Sequence, residues 1–336
     1  MSHSLTPSSF SQILCTWQKQ YGRHDLPWQI SPTAYKVFIS EMMLQQTQVT
    51  TVIGYFERWM NQFPTLSSLA QAHLDDVMHL WQGLGYYQRA RRIHQAAQYI
   101  MTHHKGELPQ CLQALQSIPG VGRYTAGALL SFAYNQYGPI VDGNVRRLFC
   151  RYFGIEGVPT TRQVDQQLWD LAERYTPTQN NRQFAQALLD LGSQICAPKK
   201  IQCDNCPLKS SCYAYQHNKQ ADLPTKKPKK VLPEKKGYFL WTVKENKLFL
   251  EKRPQQGIWG SLWCLPQINE DLIEQYGTPE HAFDHKFTHY QLHAYLIYPQ
   301  NIELTRGQWF TPTEIKKLGL PAPIYKLMSK SLKFLS

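Results

Sequence analysis

At 336 residues the chain is long enough for two domains, each with its own core. Its 42% hydrophobic and 18% charged residues are those of a globular protein, and the net charge of +12 points to a polyanionic partner, nucleic acid first. No apolar run approaches the ~18 residues of a membrane helix, and Met1 to Phe10 lacks the basic-then-apolar pattern of a secretion signal, so a cytoplasmic location is expected, with no membrane partner.

The first two hundred or so residues read as almost wholly helical. Ser31-Pro32 reads as an N-cap and a first-turn proline, opening a helix that carries Tyr35, Phe38, Met42 and Leu44. Val49 to Phe63 follows, stopped by Pro64, then Leu74 to Trp81, ended by Gly83-Leu84-Gly85. Tyr86 to His104 is the next helix. Further ones are expected over 143–153, 162–175 and 181–195. Between them, Ile118-Pro119-Gly120-Val121-Gly122-Arg123-Tyr124 joins two apolar-periodic segments, 111–117 and 125–134. Pro119 stops the first, and the glycines allow a tight turn. The backbone N–H groups that open the second segment are suited to a phosphate oxygen.

Composition changes over 216–236, where Lys and Pro dominate, and this stretch reads as an extended basic linker. Beyond it the period switches to two. Tyr238 to Val243 and Leu248 to Leu250 read as paired strands, Leu262 to Leu265 and Tyr290 to Tyr298 as further strands, and Pro323 to Phe334 as an amphipathic helix. The expected organisation is therefore an all-α domain, 1–215, a linker, 216–236, and an α+β domain, 237–336.

Of eight cysteines, four cluster as C-x6-C-x2-C-x5-C at Cys196, Cys203, Cys206 and Cys212. Without a secretion signal this reads as metal ligation, by zinc or by a four-iron cluster, rather than as disulfides. The first spacing is wider than the usual zinc-knuckle start. His285 and His289 are a weaker metal-binding pair.

The hairpin, an aspartate 22 residues after Gly120 and this cysteine spacing resemble the helix-hairpin-helix glycosylases with an iron–sulfur loop, the endonuclease III superfamily. Within it the chain resembles the MutY family of adenine glycosylases, over about residues 8 to 334. The motifs of that branch are Leu26-Pro27-Trp28, 40–49 (Ser-Glu-Met-Met-Leu-Gln-Gln-Thr-Gln-Val), Gly83-Leu84-Gly85-Tyr86-Tyr87 and Val141-Asp142-Gly143-Asn144-Val145. The resemblance implies a [4Fe-4S] cluster on the four cysteines. It also implies a monomeric enzyme acting on double-stranded DNA with A:8-oxoguanine or A:G mispairs.

Cutting a purine N-glycosidic bond needs an acid near the base and a carboxylate near a cationic sugar, with the nucleotide flipped out of the stack. Glu41, among Ile39, Met42 and Met43, is a candidate acid whose burial raises its pKa. Asp142, an N-cap, is a candidate carboxylate that stays ionised. The family assigns these roles to the matching residues, with Asn144 and Tyr124 in support. In the endonuclease III branch a lysine at the Tyr124 position attacks the sugar. A phenol forms no imine, so a monofunctional enzyme is expected. Gly120 and Gly122 fall in the DNA-gripping hairpin. Trp28 and Gln186 match residues lining the adenine pocket, and His24 stands where some relatives have arginine. Gln45, Gln46, Thr47, Leu84 and Tyr86 lie in segments that in the family read the opposite strand.

The C-terminal part resembles the MutT-like, Nudix-fold domain of that family, in 237–243, 250–254 and Gly257-Ile258-Trp259-Gly260. The glutamate cluster of Nudix hydrolases is missing from Pro266-Gln267-Ile268-Asn269-Glu270-Asp271, so a binding role is expected. Phe287-Thr288-His289 matches a Phe-Ser-His loop that contacts 8-oxoguanine, with threonine for serine. The rival readings are an endonuclease III-type glycosylase/lyase for oxidised pyrimidines, a non-catalytic DNA-binding protein and a zinc form of the same scaffold.

Overall fold

The structure is a computed structural model that describes residues 5–228, 231–300, 302, 304 and 306–330. The helices of the first part are α1 (Pro7–Tyr21), α2 (Ala34–Leu44), α3 (Val49–Gln62), α4 (Leu66–Gln71), α5 (Leu74–Leu80), α6 (Gln88–His103), α7 (Leu112–Gln116), α8 (Arg123–Ala128), α9 (Gly143–Phe153), α10 (Arg162–Tyr175), α11 (Asn181–Asp190) and α12 (Tyr213–Gln216). An α+β part follows. Both classes are those expected from the sequence.

The chain forms two compact units. One comprises Met1–Glu57, Thr65–Ser67 and Ala96–Pro228, the other Arg58–Pro64, Ser68–Gln95 and Lys229–Ser336. In the first unit, α1 packs along α11 and against α10. Phe10 of α1, fully buried, is ringed by Phe149, Tyr152, Tyr175 and Phe184. Burying one such ring stabilises the fold by roughly 1.5–3 kcal/mol. α2 packs on α8 and on the π-helical turn Leu129–Ala133 that extends it. α11 likewise runs on through a π turn, Leu191–Ile195, to the cysteine loop.

Helix starts follow cap chemistry. Asp142 caps α9 by accepting the Val145 N–H at 2.7 Å. The cap of α2 is a correction. Thr33, not Ser31, accepts the Lys36 N–H, and Ser31 sits at φ 47°, outside the helix. Pro32 biases its predecessor away from the α region, so the cap falls on the next hydroxyl. Pro119 is likewise not the stop of α7, which already ends at Gln116; α8 opens at Arg123 rather than Thr125. The segment 216–236 is not uniformly extended. The Leu223 carbonyl accepts from Arg151 Nε, and Thr225 Oγ1 accepts the Gly157 N–H, so its first part is held on the helical unit.

The second unit carries the strands β1 (Glu234–Leu240), β2 (Val243–Lys244), β3 (Lys247–Lys252), β4 (Trp263–Cys264), β5 (Gln267–Ile268), β6 (Glu280–Lys286), β7 (Gln291–Ile297) and β8 (Gln308–Phe310). They form two sheets. One has the order β5-β1-β7-β6, and the other joins β2, β3 and β4 with β8 on β3. The expected pairing of 238–243 with 248–250 holds only at its end, where Val243 faces Leu248; Tyr238 to Leu240 pair elsewhere. β1 runs parallel to β7, and β3 pairs with β2, β4 and β8. Parallel neighbours distant in sequence leave no local turn signal. Phe239, Leu292, Ala294 and Leu296 on one sheet and Leu248 and Leu250 on the other share one core, closed by Ile324 and Met328 of the helix Ala322–Lys330. The expected end of that helix, through Leu332 to Phe334, lies outside the described residues, as do Lys229 and Lys230 of the linker. No helix among the described residues is long and apolar enough to cross a membrane.

Candidate active site

A cavity of about 780 Å³ opens in the first unit, a volume typical of small-ligand sites. Ten of the candidate residues named from the sequence line it: His24, Trp28, Glu41, Gln45, Gln46, Thr47, Tyr124, Asp142, Asn144 and Gln186. They arrive from α2 and the turn after it, from the hairpin, from the start of α9 and from α11. Trp28 is buried and meets Phe56 edge-on, which fixes one wall. Gln46 takes φ 58°, turning the chain out of α2.

Glu41 is 4% exposed, within the run Val37 to Met43 that is buried throughout. Burial raises its pKa to about 7. The Tyr124 hydroxyl, which donates to it, pulls the other way, and the Asp142 charge pushes it further up. Burial and the two carboxylates hold the Tyr124 phenol well above its ordinary value, so it acts as a donor. Asp142 accepts from Val145 N and, at 2.9 Å, from Asn144 Nδ2. Burial raises its pKa too, opposed by these bonds and by Arg147. Two carboxyls thus share one wall: one is set to exchange a proton near neutrality, the other is held by donors.

Sequence reasoning missed a second layer. Asp190, fully buried, accepts from the Arg23 backbone N–H at 2.9 Å and from Arg23 Nε at 2.7 Å. It also accepts from Gln186 Nε2 at 2.9 Å. A carboxylate takes only donors, so the Gln186 amide is locked with Nε2 toward Asp190. Its Oε1 is thereby the atom left for a ligand. The i,i+4 spacing of Gln186 and Asp190 was the available signal.

In the hairpin, Gly120 takes φ 84°, and nothing stands within 4 Å of where a Gly122 side chain would begin, so that backbone is open to approach. Arg123 stacks on Trp169 at 4.0 Å and pairs with Glu173. The four cysteines gather around one small apolar cavity with Leu148, Ile201 and Leu208. Arg151 donates to Cys196 Sγ at 3.4 Å. The four cysteines form no metal-ligand group of three or more within 4.8 Å among the described residues.

The remaining candidates belong to the second unit. Leu84 is buried, whereas Tyr86 is 47% exposed at φ 48°, with the Arg89 guanidinium 5.6 Å from its ring. Phe287, Thr288 and His289 form the turn between β6 and β7, closed by Phe287 N–H to Tyr290 O at 2.9 Å. The Phe287 ring rests on Trp259 and Tyr290. Thr288 Oγ1 lies 3.3 Å from His289 Nδ1. His285 and His289 form no ligand group with a cysteine among the described residues.

Comparison with known proteins gives the domains and the family. The model of the HhH-GPD superfamily base excision DNA repair proteins matches residues 39–174, and a NUDIX domain model matches 237–330. The chain is 39% identical to an adenine DNA glycosylase of Buchnera aphidicola subsp. Acyrthosiphon pisum (strain APS), covering 98% of this chain and 99% of that one. It is 43% identical to the Homo sapiens adenine DNA glycosylase, over 64% of this chain and 41% of that protein. Among solved structures, a thermostable thymine-DNA glycosylase superposes with TM-score 0.57 at 26% identity, over 63% of this chain and 97% of that one. A non-covalent endonuclease III–DNA complex gives 0.53 at 20%, over 64% and 98%, a likeness of fold alone. With both domain models in order and an adenine DNA glycosylase matched along nearly its whole length, the chain belongs to the adenine DNA glycosylase family.

Proposed function

We propose that this enzyme removes adenine mispaired with 8-oxoguanine or guanine in duplex DNA, leaving an abasic site and an uncut strand. One observation carries the reading: Glu41 and Asp142 meet in a single cavity, and the Glu41 carboxyl changes charge near neutral pH. The flipped adenine enters beside Trp28, and its exocyclic amine donates to Gln186 Oε1. Glu41 gives its proton to a purine ring nitrogen, so the base leaves with the electron pair of the broken bond to the sugar. The cation left on the sugar faces Asp142, and water, deprotonated by the Glu41 carboxylate, adds to it. Tyr124 holds Glu41 and offers no amine for an imine, which supports a monofunctional reaction.

Cys196, Cys203, Cys206 and Cys212 would hold a [4Fe-4S] cluster, a reading supported by the four-thiolate donor set around one small cavity. When bound, the cluster supplies a rigid fold for a loop carrying Lys199, Lys200 and Lys209 toward phosphates. The hairpin at Gly120 and Gly122 grips the backbone through N–H groups. Gln45, Gln46, Leu84 and Tyr86 fill the gap left by the flipped base, and Phe287-Thr288-His289 reads 8-oxoguanine. Adenine release from an A:8-oxoguanine duplex by Glu41→Gln tests the assignment. Binding without release is expected. Near-normal release would remove Glu41 from its role.

A further inference from the structure

The outer face of the β5-β1-β7-β6 sheet carries a group of side chains that the glycosylase reaction does not use. Residues three apart on a regular strand point to opposite sides. In β6 the register against β7 shifts between His281 and Phe283. That bulge brings His281 onto the same side as Asp284. Asp284 is the cross-strand partner of His293 on β7. His281 Nε2 stands 2.9 Å from Asp284 Oδ1, and His293 Nδ1 stands 2.8 Å from the same oxygen. All three atoms lie within 4.8 Å of one another.

His293 is the telling residue. Its other nitrogen, Nε2, faces Glu234 Oε2 of β1 at 3.7 Å. A neutral imidazole offers one N–H and one lone pair. At 3.7 Å the Glu234 contact is not a hydrogen bond, and Nε2 is buried with no hydrogen-bond partner among the described residues. Nδ1–H therefore donates to Asp284. A metal ion would replace that proton on Nδ1 and move the N–H to Nε2, on the side where Glu234 lies, as a carboxylate does behind a ligating histidine. Two imidazole nitrogens and one carboxylate oxygen suit zinc, nickel or copper better than magnesium or calcium. His281 and Asp284 are half exposed, which leaves room for water to complete the coordination.

We propose that His281, Asp284 and His293 bind one divalent transition-metal ion, with zinc as the reference case, and that Glu234 orients His293 from behind. Bound there, the ion ties edge strand β6 to β7 a few residues before the turn at Phe287-Thr288-His289. It thereby stiffens the hairpin that presents that turn.

The test is equilibrium dialysis of the full chain, its cysteine loop loaded with iron, against zinc chloride, with zinc and iron counted per chain. One saturable zinc in the micromolar range is expected, with iron unchanged. His281→Gln, Asp284→Asn and His293→Gln should each weaken it by about tenfold or more. No saturable zinc, or zinc retained by the His281→Gln/His293→Gln double variant, would overturn the proposal. X-ray absorption on the wild-type chain needs no variant. Nitrogen and oxygen neighbours alone are expected, and sulfur neighbours would place the zinc on cysteine and refute the site.

Discussion

The backbone carbonyl of Cys196 and the carboxylate of Asp142 are joined through two side chains. Arg147 Nε donates to Cys196 O at 2.7 Å, and its Nη2 donates to Asn144 Oδ1 at 2.9 Å. Asn144 in turn donates to Asp142. The cysteine loop therefore sets the position of a carboxylate in the cavity without touching it.

Arg147→Ala should cut the single-turnover rate of adenine release by tenfold or more, on the order of the 1.5–3 kcal/mol of a hydrogen bond to a charged group. Gly192 allows the same contact from below: a Cβ there would lie 2.8 Å from Asn144 Cβ. Gly192→Ala should therefore slow release in the same direction. An unchanged rate in both variants, with the thiolate–iron absorbance intact, would show that the connection is idle.

Glu41 should be a cost to stability. An unfolded glutamate ionises near 4.5, the folded one near 7. Ionisation thus favours unfolding, and stability falls as pH rises from about 4.5 to about 7. The loss is about 3 kcal/mol above that window. Glu41→Gln, which keeps the shape and the acceptor for Tyr124, should raise the melting temperature at pH 8 and leave it nearly unchanged at pH 4. A destabilised variant at pH 8 would contradict the raised value.

Adenine release should decline as pH rises through about 7, where Glu41 loses its proton. The Tyr124 hydroxyl favours the ionised carboxylate. Tyr124→Phe should therefore move this limb to higher pH, read from single-turnover rates between pH 5.5 and about 9. A shift downward would mean that the hydroxyl serves the protonated form.

Asp190 fixes which face of the Gln186 amide is turned to the cavity. Asp190→Asn can donate its own N–H, so the Gln186 amide is free to turn its NH2 outward. The ratio of adenine to hypoxanthine release should fall in this variant, because hypoxanthine carries a carbonyl where adenine carries the amine. An unchanged ratio with a lower rate would reduce Asp190 to a partner of Arg23.

Much of the helical part was legible because its signals are local. Asp142 before Gly143 and the span 162–175 each read correctly within a few residues of sequence. Glu41 was legible as buried from the apolar side chains around it. The misreadings are those where the partner is distant. β1 pairs in parallel with β7, Glu234 opposite Gln291, and β6, Glu280–Lys286, is too polar to show alternation because it is an edge strand. Asp190 went unnoticed, since its partner Arg23 lies far away in the chain. The grouping of His281 with Asp284 needed the bulge, which no spacing rule supplies.

The most direct measurement places excess enzyme on duplexes with adenine opposite 8-oxoguanine, guanine, cytosine or thymine, and with thymine glycol opposite adenine, each read for strand breaks with and without alkali. Breaks that require alkali and occur only at adenine opposite 8-oxoguanine or guanine are the predicted result. Breaks at thymine glycol without alkali would contradict it, and with it the roles given to Glu41 and Tyr124.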